Sequence, residues 1–102
     1  VSEAWERYRT DWVQLDAPRH FFLHSGLSFK KLAENTGFRI EKILYDSSSF
    51  QFWGSELYKR DIPLTMELGE YFSVAELNEF ALKATELNHH GKGDQAAFIL
   101  VK

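Results

Sequence analysis

A chain of 102 residues and 11.9 kDa has room for one domain and not for a second with its own core. With 44% hydrophobic and 26% charged residues it has an ordinary globular composition, which excludes a disordered tail. Its 12 Lys and Arg against 15 Asp and Glu, a net charge of -3, leave no overall field to draw it to nucleic acid or to anionic lipid.

Ser2 is placed to cap a helix over residues 3 to 12, where Trp5, Tyr8 and Trp12 stand at i, i+3 and i+7 as an aromatic stripe. Residues 13 to 24 have no helical period and contain Pro18, so an ordered loop is expected. Ser25 then caps a helix through Leu27, Phe29, Leu32 and Ala33, with Gly37 where a left-handed C-terminal cap needs it. Residues 38 to 45 read as a strand. Ser47, Ser48 and Ser49 offer caps for a third helix that ends near Arg60 and carries Phe50, Trp53 and Leu57 at i, i+3 and i+7. Ser73 and Glu76 form a capping box for a helix over 74 to 89, with Val74, Leu77, Phe80, Ala81, Ala84 and Leu87 on its apolar face and Gly91 at its stop. Gln95 to Val101 is a short continuous apolar run, the pattern of a strand buried on both faces.

Two strands and three or four helices give an α/β chain. A two-stranded sheet is marginal alone, and a strand buried on both faces belongs inside a larger sheet. The pattern is therefore that of the end of a larger α/β domain, with helices packed on an antiparallel strand pair. The alternative is a small self-contained α+β fold in which the aromatic helices wrap the hairpin. The chain begins at Val1 and not at Met, as a processed or excised piece would.

The absence of cysteine excludes a disulfide framework, a thiolate nucleophile and Cys-ligated metal, and it fits a reducing compartment, so a cytoplasmic location is expected. No apolar run approaches the roughly 20 residues of a membrane span, and neither a membrane nor a nucleic-acid partner is expected. Aromatics are abundant at 16%, more than so small a core readily hides, and some are expected to face a ligand, a partner or further protein, with self-association as one outcome and a noncatalytic module that docks a protein or carbohydrate as the alternative function.

Chemistry is concentrated between residues 16 and 24. His20 and His24 are four apart, a spacing that metal sites use on helices, but Pro18 argues against helix and no third ligand has a recognisable spacing, so no metal site is expected. Asp16, Arg19 and His20 bring a carboxylate, a guanidinium and an imidazole together among aromatics. One reading is a hydrogen-bond knot that fixes the loop; the other makes His20 a general base or a substrate partner, its ordinary pKa lying close to operating pH. His89 and His90 end a helix, where an imidazole complements the dipole. Phe50, Phe52, Trp53 and Tyr58 form a second aromatic cluster; aromatics at helical spacing read first as core, but with Phe52 off the main stripe at least one ring is expected to point elsewhere, and a ring next to the Asp16 loop would form one wall of an acceptor pocket. Gly91-Lys92-Gly93-Asp94 follows a helix and precedes a strand, the wrong order for a phosphate loop, and reads as a turn.

The segment from Trp12 through Asp16-Ala17-Pro18-Arg19-His20 to Ser25, followed by a helix ending Thr36-Gly37-Phe38 and a strand, resembles the C-terminal part of class I S-adenosylmethionine-dependent methyltransferases, in the bacterial group with an Asp-x-Pro-Arg-His segment. The similarity continues through residues 50–64 and 93–98, leaving 65–90 as a variable helical insertion. The resemblance implies a Rossmann-like sheet ending in an antiparallel pair, with residues 38–46 and 95–101 as its last two strands. It also implies that S-adenosylmethionine is bound mainly by an N-terminal part with no counterpart in this chain, which is then inactive alone and partnered by the rest of the domain. On the acceptor side, the resemblance makes His20 the candidate base and Asp16, Arg19, His24, Trp53 and Tyr58 the candidate substrate-binding residues, for a small-molecule or glycan acceptor.

Overall fold

The first helix begins where the Ser2 side chain accepts a hydrogen bond from the Trp5 N–H at 3.2 Å, and α1 spans Glu3–Tyr8. It stops there because Arg9 adopts φ 52° and ψ -120°, a backbone conformation that cannot continue a right-handed helix. The chain goes on as short 3-10 turns over Arg9–Asp11 and Val13–Leu15. The expected helix through residue 12 is thus shorter, and the expected loop after it begins with a helical turn. The computed structural model describes residues 1–15 and 23–102, so the readings for Asp16, Arg19 and His20 fall outside the described residues.

Ser25 caps the second helix as expected, its Oγ accepting from the Ser28 N–H at 3.1 Å, and α2 spans Gly26–Asn35. Gly37 at φ 87° turns the chain back so that the Phe38 N–H reaches the Ala33 carbonyl at 2.9 Å, and β1 follows over Arg39–Tyr45. In α3, Phe50–Lys59, the N-cap is Ser49, whose side chain makes no capping bond; the Ser48 hydroxyl before it accepts from the Phe50 N–H at 3.3 Å. The capping box of α4, Val74–His89, is formed in both directions: Ser73 accepts from the Glu76 N–H and Glu76 from the Ser73 N–H, each at 3.1 Å. Gly91 at φ 67° ends that helix, and β2 runs over Ala96–Val101. Among the described residues no helix is long and apolar enough to cross a membrane.

Helices α1, α3 and α4 share one core: Ala4, Tyr8, Phe52, Ala84 and Leu87, with Trp12 and Phe80 packed against it. Phe52 is 0% exposed and stacks on Phe80 at 5.7 Å between centroids; Phe80 also meets Phe72 edge-on at 5.6 Å. Phe52, off the stripe of Phe50, Trp53 and Leu57, is therefore a core ring. The face of α3 that enters the core carries Gln51, Phe52 and Ser55, whereas Phe50 and Trp53 are only half-buried and pack on each other at 4.7 Å. Periodicity reported a helix but took its outer aromatic pair for its inner face.

The second part of the molecule is β1 and β2, paired antiparallel from Arg39↔Val101 to Tyr45↔Ala96, with Glu41 in a bulge between Ile40 and Lys42. Ile40, Tyr45, Ala96, Phe98 and Leu100 share the half-buried face beneath α2, where Phe29 lies 4.4 Å from Phe98. Lys42, Leu44, Ala97 and Ile99 are on the opposite face and are exposed, Leu44 and Ile99 at 42% each. Within this chain, then, β2 is not buried on both faces, because the described residues supply neither a layer for the second face nor a strand beyond β2.

The helical core and the sheet are tied by one polar knot. Asn88 of α4 accepts from the Ser47 N–H at 3.0 Å and donates to the Ser47 carbonyl at 2.9 Å, while Ser47 Oγ accepts from the Gln95 N–H at 2.8 Å. Gly93 lies against this knot: a Cβ there would collide with Ser47 Oγ and stand 2.6 Å from Asn88 Oδ1. The molecule is elongated, 49 × 29 × 21 Å with a radius of gyration of 15.3 Å. A compact domain of this length has a radius nearer 13 Å.

Candidate functional site

The two parts do not close on each other, and a cleft of about 570 Å³ opens between them. That is within the roughly 300–1,000 Å³ of small-molecule sites. Trp5 and Trp12 line it from the helical part, Tyr45 and Phe98 from the sheet, and Asp94 from the turn before β2. The break at Arg9 is what places the tryptophans: it turns the chain so that the two indoles meet edge to face, 6.2 Å apart at 63°. The Arg9 guanidinium lies over the Trp5 ring at 5.6 Å from its centroid.

Asp94 is the charged group at the centre of this arrangement. Its Oδ2 accepts the Trp12 indole N–H at 3.0 Å. Burial raises its pKa above the ordinary carboxylate value, and the Trp12 hydrogen bond opposes that rise without cancelling it. No Lys, Arg or His among the described residues forms an ion pair with it. A half-buried carboxylate among rings with no cation beside it is an uncompensated charge. Burial acts similarly on Tyr8, pushing its hydroxyl well above the ordinary phenol range, but that hydroxyl donates to Glu56 Oε1 at 3.0 Å and serves the core.

Of the residues singled out from sequence, His24 lines the cleft; its Nδ1 is 3.2 Å from Ser28 Oγ and its ring meets Phe29 edge-on. Trp53 and Tyr58 do not line it: Trp53 packs on Phe50, and Tyr58 is 57% exposed on α3. Leu15 and Leu23, which flank the segment containing Asp16, Arg19 and His20, both line the cleft. Among the described residues no group of three or more His, Asp or Glu is arranged to hold a metal ion. Sequence reasoning missed Asp94, which it took for turn punctuation, and gave Trp5 and Trp12 no site role. Asp94 and Trp12 are 82 positions apart, so no local spacing announces their pairing; the available hint was a carboxylate in a two-glycine turn ahead of an apolar strand.

Comparison with protein-family models, with curated proteins and with solved structures finds no match to this chain.

Proposed function

We propose that this chain is the acceptor-side segment of a class I S-adenosylmethionine-dependent methyltransferase. The observation that carries the reading is the state of β2. Its Ala96–Val101 run has the composition of an interior strand, yet among the described residues it is paired by β1 alone and leaves Ala97 and Ile99 open. The helix–Gly37–strand passage into an antiparallel pair, and the elongated shape, point the same way.

In this reading the partner the chain needs is the remainder of the sheet, and its compartment is the cytoplasm. The residues present do not fit the cofactor. The chain has no glycine-rich turn leading from a strand into a helix N-terminus, so a dinucleotide-type phosphate or ribose cradle has to come from elsewhere in the domain. The cofactor's contribution is an electrophilic methyl group on sulfur. The chain's own contribution is to hold the acceptor in line and to take up its proton, with His20 as the base and Asp16 and Arg19 as orienting groups, the roles the resemblance implies for them.

Calorimetric titration with S-adenosylhomocysteine tests this, on the 102-residue chain and on the complete product of the gene that encodes it. Saturable binding by the complete product and none by the 102-residue chain is expected. A complete product that does not bind the ligand overturns the assignment.

A further inference from the structure

We propose that the cleft between the helical core and the sheet is a binding site for a compact organic cation, an alkylammonium group held by Asp94 and walled by Trp5, Trp12 and Tyr45. This inference stands on the cleft alone and does not depend on the methyltransferase reading.

The choice of a cation over a neutral hydroxylated ligand comes from which polar groups are already engaged. A sugar is recognised through several donors and acceptors that remain free to pair with its hydroxyls. Among the described residues most of the polar side chains lining the cleft are bonded within the protein, the Tyr45 hydroxyl and the Trp5 indole N–H being the exceptions. Ser2 Oγ accepts from the Trp5 N–H, Ser25 Oγ from the Ser28 N–H, Gln95 Nε2 donates to Asp46, His24 Nδ1 is on Ser28, and the Trp12 indole donates to Asp94. What the described lining still offers is ring surface, those two donors and one carboxylate without an ion pair, and of these only the carboxylate carries a charge. An alkylammonium group matches the rings and the carboxylate, because the faces of indole and phenol rings attract a cation and its methyl or methylene groups displace water from them. Asp94 supplies the counter-charge without needing a directed hydrogen bond, so even a quaternary ammonium is satisfied.

Among the described residues the other ionisable side chains lining the cleft are His24 and Tyr45. Val1 also lines the cleft, and in an assay on the 102-residue chain its terminal amine is acetylated.

The probe is choline, compared with its uncharged carbon isostere 3,3-dimethylbutan-1-ol, each titrated into the acetylated chain while the indole N–H signals of Trp5 and Trp12 are followed by NMR. Choline is expected to bind at least about tenfold more tightly than the isostere, the scale of a desolvated cation–π contact together with a counter-ion. Asp94→Asn is expected to abolish that preference while leaving the isostere's affinity in place, and Trp5→Leu to weaken both ligands. Equal affinity for the two ligands, a preference that survives Asp94→Asn, binding insensitive to Trp5→Leu, or no binding of choline would each overturn the proposal. Circular dichroism of both variants separates loss of the site from loss of the fold.

Discussion

The Trp12 indole nitrogen donates to Asp94 Oδ2 across 3.0 Å, joining the turn after α1 to the turn before β2. Trp12 also packs against the helical core, so one side chain belongs to both the interior and the cleft. Trp12→Phe keeps most of the ring and removes the donor. The expected cost is about 1.5–3 kcal/mol, the range for a hydrogen bond to a charged partner, and the Asp94 pKa should rise further because the bond that opposes its rise is gone. A urea midpoint and a carboxyl-carbon NMR titration measure the two effects; an unchanged Asp94 titration would show that the indole does not act on the carboxylate.

Asp94 should weaken the fold at neutral pH. Its folded-state pKa is raised above 3.8, so the native state holds this proton more tightly than the unfolded chain does. Stability from this group is then greatest at low pH, declines as pH rises from about 3.8 through the raised value, and stays at its lower level above it. Asp94→Asn removes that decline. The variant's advantage in melting temperature over the parent should grow across that interval and persist at pH 7. A variant less stable than the parent at pH 7, with no pH-dependent gap between them, would show that the carboxylate is well paired after all.

The knot at Ser47 and Asn88 should behave as a unit. Asn88→Ala deletes two hydrogen bonds to one residue's backbone and is expected to cost about 2 kcal/mol at 0.5–1.5 kcal/mol per bond. Gly93→Ala inserts a methyl group where Asn88 Oδ1 would be only 2.6 Å away, with about 1–3 kcal/mol expected for overpacking. Since the first change removes one of the atoms that the second strikes, the double variant should lose less than the sum. Strict additivity in chemical denaturation would refute the shared contact.

Arg9 should be replaceable with profit. Its φ of 52° and ψ of -120° favour glycine, and strain of this kind costs of order 1–3 kcal/mol. Arg9→Gly also gives up the guanidinium over Trp5, worth about 0.5–1 kcal/mol at an exposed site. A melting temperature higher by a few degrees is expected, and a lower one would mean that the ring contact outweighs the strain.

Where structure follows from short-range rules, the sequence was readable. Ser25 and Ser73 cap the helices they precede, Glu76 completes its box, Gly37 and Gly91 take left-handed conformations, and β1 and β2 lie where their apolar runs place them. Failures came where distant residues decide. Phe52 and Phe50 are near neighbours on α3, and which of them turns inward is settled by Phe80 on another helix. The helix break at Arg9 carries no glycine or proline to announce it. Asp94 gains its importance from its burial and from partners far along the chain, Trp12 being 82 positions earlier. Of the candidate site, His24 was legible and lies in the cleft, whereas Trp53 and Tyr58 lie elsewhere.

The two strands also differ in how they meet an approaching neighbour. β1 carries Arg39, Glu41 and Lys42 and is interrupted by the bulge at Glu41, the charges and local twist that discourage further pairing along a sheet margin. From Ala96 to Val101, β2 has no charge, no proline and no bulged residue to do the same. A sheet that grows from this strand pair therefore grows from the β2 side. Left uncovered, that same margin is where chains would be recruited into intermolecular β-structure, and a lysine at Ala97 or Ile99 is the natural gatekeeper against it.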